Sequence, residues 1–129
     1  MSVTLDTGAL IAMEKRKPRA MMLLQAAREQ RAELFVTTPI VAEWWRGRSD
    51  RREDIKLAVT MVPLPLAAAE AAGVVLGQIR QAHERVRLAI DTMVMAFAAI
   101  YGGGLVYTSD VADLTRLREY FPAVRILSV

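Results

Sequence analysis

The chain predicts an α/β domain with a central parallel sheet of four to five short strands, flanked by helices on both faces. Three observations carry that expectation. Five short runs are apolar throughout rather than alternating, the pattern of strands covered on both sides. Helical patterns separate the runs. The length, 129 residues at 53% hydrophobic and 24% charged, suits one globular domain over residues 1–129, large enough for a real core and too short for two.

The first run, residues 2–6, lacks the basic segment and long apolar stretch of a signal peptide and reads as a strand. Helical patterns follow at 8–15 and 18–31, then a strand at 34–37. Thr38 before Pro39 predicts an N-cap with proline at the first helical position, opening a helix over 39–47. A helix over 51–60 and a strand over 61–64 come next, and Pro65 separates that strand from a helix over 66–84. A helix over 90–101 stops at Gly102-Gly103-Gly104. A strand at 104–107, a helix at 111–120 and a strand at 125–128 complete the order, with no internal repeat.

Composition narrows the function classes. Without cysteine, disulfides and thiolate zinc sites are excluded, and a reducing cytoplasm is the expected setting. The longest apolar stretch, 89–105, is interrupted by Asp91 and three glycines and falls short of the ~20 residues of a membrane helix, so no membrane association is expected. The net charge of +3 is a mild basic bias, but its distribution is informative: Arg46, Arg48, Arg51 and Arg52 cluster around one loop, and Arg80, Arg85 and Arg87 around another. Such clusters suit a polyanion, although solvated charge at helix ends is also common.

Four isolated carboxylates stand where apolar segments end or turn: Asp6, Glu43, Asp91 and Asp110. Asp6 and Asp110 follow predicted strands, where open α/β sheets gather their ligands. Either could be a plain N-cap. Asp91 is the only charged residue from Ala89 to Tyr101, on a helix apolar on nearly every side and therefore buried. In a first turn it would gain from the helix dipole, yet burying it without a strong partner is costly. Glu43, about one turn into its helix, could instead pair with Arg46 at i,i+3. Asp113, three residues after Asp110, shares the start of a helix, and Thr108 adds a hydroxyl at a strand end. A divalent cation would compensate Asp6, Glu43, Asp91 and Asp110 at once.

The segments Val3-Thr4-Leu5-Asp6-Thr7-Gly8-Ala9-Leu10, Thr38-Pro39-Ile40-Val41-Ala42-Glu43, Ala89-Ile90-Asp91-Thr92-Met93-Val94-Met95-Ala96 and Val106-Tyr107-Thr108-Ser109-Asp110-Val111-Ala112-Asp113-Leu114 resemble, in order and spacing, a PIN domain of the VapC toxin class, and the likeness runs end to end. The resemblance implies a small endoribonuclease silenced by a VapB-like antitoxin, and a homodimer. By that resemblance Asp6, Glu43, Asp91 and Asp110 form the acidic quartet, Asp113 an outer member, and Thr108 the hydroxyl before the fourth acid. The Trp44-Trp45-Arg46 cluster is a local departure, open to RNA contact or to packing.

Mg²⁺ or Mn²⁺ fits such a set, since hard cations prefer oxygen ligands. The expected chemistry is in-line attack of water on an RNA phosphodiester. Asp6 and Asp91 would be direct ligands, and Glu43 and Asp110 would bind directly or through water. Arg46, Arg48, Arg51 and Arg52 would hold the RNA backbone, with single-stranded loops the favoured target.

Other features point elsewhere. His83 lies among charged residues and reads as a surface histidine. The glycine triplet ends a helix and enters a strand, the reverse of a phosphate loop. Leu10, Met13, Met21, Met22, Leu23 and Leu24 form an apolar stripe that reads as core, with an antitoxin groove as the second reading. A receiver-type signalling domain would need paired acids after the first strand and a late lysine, both missing here. A non-cleaving PIN-like module that binds RNA or protein is the main alternative, and a DNA or flap-type nuclease would carry extra elements.

Overall fold

The computed structural model describes residues 1–48 and 52–129. Its elements run β1 (Ser2–Leu5), α1 (Thr7–Glu14), α2 (Pro18–Glu29), β2 (Glu33–Thr37), α3 (Thr38–Trp45), α4 (Glu53–Ala58), β3 (Thr60–Val62), α5 (Leu66–Gln78), α6 (Ala82–Ile100), β4 (Leu105–Thr108), α7 (Val111–Leu117) and β5 (Arg125–Ser128). The five strands form one parallel sheet in the order β3-β2-β1-β4-β5. Successive residues Val3, Thr4 and Leu5 are all buried, as a strand covered on both faces requires.

From β1 the chain builds outward through β2 to β3, then crosses back to place β4 on the other side of β1. That reversal makes the carboxyl ends of β1 and β4 the switch point where such sheets open a crevice. Glycine allows close approach at two places, of which Gly8 lines the crevice. A Cβ on Gly8 would fall 1.9 Å from Ser109 Oγ, and one on Gly102 would fall 2.2 Å from Thr4 Oγ1.

The core under the sheet joins Leu5, Leu10, Ile40, Trp44, Leu88, Met95, Val106 and Leu114. A second cluster, Ala68, Ala72, Ala96 and Phe97, seats α5 on α6, and the Phe97 ring meets Phe35 edge-on at 5.7 Å. The small alanines allow close helix approach, and burying such apolar surface contributes roughly 25 cal/mol per Å².

The expected boundaries move most between residues 78 and 90. The helix expected over 66–84 ends at Gln78, and the next begins at Ala82 rather than Ile90. Extended backbone at Ile79 (ψ 114°) and Gln81 (ψ 122°) makes an elbow that brings α5 back against α6. Arg85 Nη1 donates to the carbonyls of Ile79 at 2.6 Å and Arg80 at 2.9 Å, satisfying oxygens that the broken helix leaves open. No proline or glycine marks this elbow in residues 78–82, so local punctuation could not reveal it. Thr38 is likewise inside α3, with Thr37 as its cap, because the Thr38 hydroxyl accepts the Leu64 N–H at 3.2 Å. The start of the expected helix over 51–60 lies outside the described residues, and α4 covers Glu53–Ala58. The glycine triplet ends α6 as expected, with Gly103 and Gly104 both at φ +78°.

Candidate active site

Asp6 begins the site because β1 ends one residue before it. Its backbone is extended, its N–H donates to the Tyr107 carbonyl of β4 at 3.3 Å, and its side chain caps α1 by accepting the Ala9 N–H at 2.8 Å. The capping role is therefore real, but it engages one carboxylate oxygen only. The other accepts from the Thr108 hydroxyl, whose oxygen in turn accepts the Asp110 N–H at 2.8 Å. Asp110 then caps α7 through the Asp113 N–H at 3.4 Å. One chain of hydrogen bonds thus ties the ends of β1 and β4 to the start of α7.

Glu43 reaches the same place from α3, where it is the sixth residue. It accepts a hydrogen bond from the Thr7 hydroxyl, and among the described residues it forms no ion pair with Arg46. Asp91 arrives from α6. It is the tenth residue of that helix, not in the first turn, so neither a cap nor the helix dipole accounts for it.

These side chains converge on a cleft of about 520 Å³ lined by Asp6, Glu43, Asp91, Asp110 and Asp113, with Arg87 at its wall. Carboxylate oxygens of Asp91, Asp110 and Asp113 lie within 4.8 Å of one another. Asp113, expected at the periphery, stands in this closest trio; Asp6, expected as a direct ligand, lies beside it.

The electrostatics follow first from burial and then from packing five acids together. Burial pushes the Asp6 carboxyl up to about 6; the Thr108 and Ala9 hydrogen bonds oppose this, and the charges of Asp110 and Glu43 add to it. Burial also pushes Asp91 up to about 7, with the charges of Asp6, Asp110, Asp113 and Glu43 adding to the rise. Asp113 goes the other way, held low by its hydrogen bond to Arg87, whose Nη1 is 2.6 Å from Asp113 Oδ2. The donor set, all oxygen and short of positive charge, suits a hard divalent cation.

The basic loop is partly turned inward. Arg48 Nη2 is 2.6 Å and Arg52 Nη2 3.7 Å from Glu14, a largely buried carboxylate that also accepts the Trp44 indole N–H. Arg46 is exposed, and Arg51 lies outside the described residues. The tryptophan pair packs internally: Trp44 is buried, and Trp45 leans on the core with Lys56 Nζ 4.4 Å from its ring centre. Arg80, Arg85 and Arg87 do not share one loop, because Arg85 and Arg87 belong to α6. His83 is exposed as expected, with the Glu84 carboxylate 3.8 Å away.

Sequence reasoning missed Arg87 and Glu14 as structural partners. A signal for the first existed in the matching i,i+3 spacings Glu84/Arg87 and Asp113/Arg116, hidden because the helix was ended at Glu84. Nothing local marked Glu14, since its partners come from residues 30 or more positions away.

Comparison with known proteins bears on the fold and the family. No curated protein matches the chain. Over 100% of this chain and 99% of the other, the fold is similar to a crystal structure of VapBC2 from Rickettsia felis bound to a DNA fragment from their promoter, with a TM-score of 0.68 at 14% identity. A family model described as the PIN domain matches residues 3–119. The chain belongs to the PIN domain family.

Proposed function

We propose that this chain is a divalent-metal-dependent endoribonuclease of the VapC toxin type, held inactive by a VapB-like antitoxin. The observation that carries the reading is the convergence of Asp6, Glu43, Asp91, Asp110 and Asp113 on one cleft, with two of the acids held above the usual carboxylate range. Such crowding is expensive unless a cation occupies it. Family membership and the fold shared with the Rickettsia felis VapBC2 structure support the same class.

Asp91, Asp110 and Asp113 would hold the cation, with Asp6 and Glu43 adjoining directly or through water. Bound Mg²⁺ or Mn²⁺ would polarise the scissile phosphate and lower the pKa of a water. The chain's own work is then positional. Thr108 orients Asp6 and Asp110 together, and Thr7 orients Glu43. Asp6, whose carboxyl burial pushes up to about 6 in the metal-free fold, would be a proton acceptor at a carboxylate oxygen. Backbone contact with RNA would fall first to the exposed Arg46 and to Arg51, through phosphates rather than bases, since Arg48 and Arg52 turn toward Glu14.

A hollow of about 250 Å³, where Met13, Met21, Leu24 and Ile55 are rimmed by Glu14, Arg16, Arg28 and Asp54, would seat the antitoxin by mixed apolar and charged contacts. A second copy of the chain would complete a homodimer of the kind the resemblance implies. Among the described residues no helix is long and apolar enough to cross a membrane.

The test is cleavage of total RNA by antitoxin-free protein with Mn²⁺, Mg²⁺ or EDTA, beside an Asp91→Asn control. Metal-dependent fragments lost in the control are expected. Folded protein that binds metal yet leaves both total and single-stranded RNA whole would overturn the reading in favour of a binding module.

A further inference from the structure

A second cavity, of about 470 Å³, lies next to the acidic cleft, and the cleft does not account for it. The α5–α6 elbow forms one side of it and α7 with its C-terminal turn the other, and the floor is apolar, with Leu88 and Leu117. Gln78, Arg80, Gln81 and Arg116 line it together with the carboxylates of Glu84 and Glu119, and Tyr120, half-buried, adds an aromatic wall. Gln81 is the N-cap residue of α6, but its side chain makes no capping bond.

Four charged residues separate this cavity from the cleft. Arg87 bridges Asp113 at 2.6 Å and Glu84 at 2.9 Å, and Arg116 meets Glu84 at 3.1 Å. Glu84 and Arg87 are i,i+3 on α6, while Asp113 and Arg116 are i,i+3 on α7, so the signs alternate as Asp113–Arg87–Glu84–Arg116. Asp113 and Arg87 face the cleft; Glu84 and Arg116 face the cavity. The wall between the two concavities is therefore one ion ladder thick, with an arginine on each side of it.

We propose that this cavity is a base-reading subsite for the nucleotide that flanks the scissile phosphate, an inference that rests on the ribonuclease reading above. The size falls in the range of small-ligand pockets, which run to roughly 300–1,000 Å³. Its chemistry divides as a nucleotide does. Arg80 and Arg116 meet phosphate charge, Tyr120 and Leu88 give a face for stacking, and the Gln78 and Gln81 amides reach a base edge with paired donor and acceptor. A peptide docking by apolar anchors would want a continuous apolar face, and here Ile79, Leu88, Leu117 and Tyr120 are interleaved with charged and amide side chains. Arg116 and Gln81 act here as substrate-positioning residues, not catalytic ones.

Two measurements test it. In the first, kcat, KM and cut position are read on a randomised single-stranded RNA for wild type, Gln81→Ala, Arg116→Ala and Tyr120→Leu, with each variant's fold checked by thermal melting. A KM raised roughly tenfold, kcat held within about twofold, and relaxed base preference beside the cut are expected. Unchanged KM and unchanged preference in folded variants would overturn the proposal.

The second measurement does not depend on cleavage. Side-chain amide resonances of Gln78 and Gln81 are followed by NMR in EDTA, with nucleoside 5′-monophosphates or inorganic phosphate added to the full chain. Shifts with nucleotides and not with phosphate support the subsite even if the protein proves not to cut RNA, in which case only the nuclease reading fails. Equal shifts with phosphate alone, no shifts at all, or displacement only by an antitoxin-derived peptide overturn it.

Discussion

Thr108 Oγ1 donates to Asp6 Oδ2 across the β1–β4 pair and, through the same oxygen, accepts the Asp110 N–H at 2.8 Å. One hydroxyl thereby ties the carboxylate of one acid to the backbone of another, each just past the end of a different strand. Its hydrogen bond also restrains the rise of the Asp6 carboxyl, which burial drives.

Thr108→Val keeps the side chain's shape and removes both interactions. RNA cleavage at pH 7 should fall roughly 10–100-fold, the usual cost of losing an orienting partner of a metal site, while Thr108→Ser stays close to wild type. Cleavage rates across pH 6–8 check this. A valine variant as fast as wild type would leave Thr108 with no part in the site.

The pH dependence of stability has a definite sign. Asp6 and Asp91 stay protonated in the metal-free fold up to about 6 and about 7. Unfolded aspartates ionise near pH ~4. Between those values the folded state binds more protons, so stability falls as pH rises. Asp113 and Glu84, held low by Arg87, act oppositely, but their contribution is lost only as pH drops through and below the usual carboxylate range. In EDTA the Tm should therefore be higher at pH 5 than at pH 7.5. Adding Mn²⁺ at pH 7.5 should restore it by mass action. Asp91→Asn removes the most perturbed acid: its Tm in EDTA at pH 7.5 should rise by about 2–6 °C, and the Mn²⁺ gain should shrink or vanish. Differential scanning calorimetry reads all three effects.

Gly8 has no room for a methyl group. A Cβ there would meet Ser109 Oγ at 1.9 Å and Ser109 Cβ at 3.0 Å. Gly8→Ala should cost about 1–3 kcal/mol of stability as an overpacked contact, and Ser109→Gly added to it should return a large part of that loss. Urea unfolding of the two single variants and the double variant measures the coupling. Simple additivity would place the cause elsewhere.

Glu14 holds Trp44, Arg48 and Arg52 together from the end of α1. Glu14→Gln removes the charge that both guanidiniums face, and the stability cost should be about 1–3 kcal/mol, below that of a fully buried pair because Arg52 is partly exposed. Denaturant midpoints check this. A neutral effect would reduce the cluster to a surface contact.

The sequence by itself determined the strand and helix alternation, because apolar runs and proline and glycine punctuation are local signals. The five strands, the glycine stop after α6 and the residue types of the acid cluster were legible for that reason. Asp6 and Asp110 could be placed at strand ends before any coordinates, since the end of an apolar run is visible along the chain. The elbow at residues 79–81 was not legible, because long-range packing of α5 on α6 imposes it and no breaker residue marks it. That one boundary hid the position of Asp91 deep in α6 and the pairing of Arg87 with Asp113. The inward turn of Arg48 and Arg52 toward Glu14 was equally invisible, since charge along a sequence does not say which partner will be buried beside it. Only the tertiary structure decided which acids share a cleft and which cations face it, because those are distances between elements set by sheet order and helix packing.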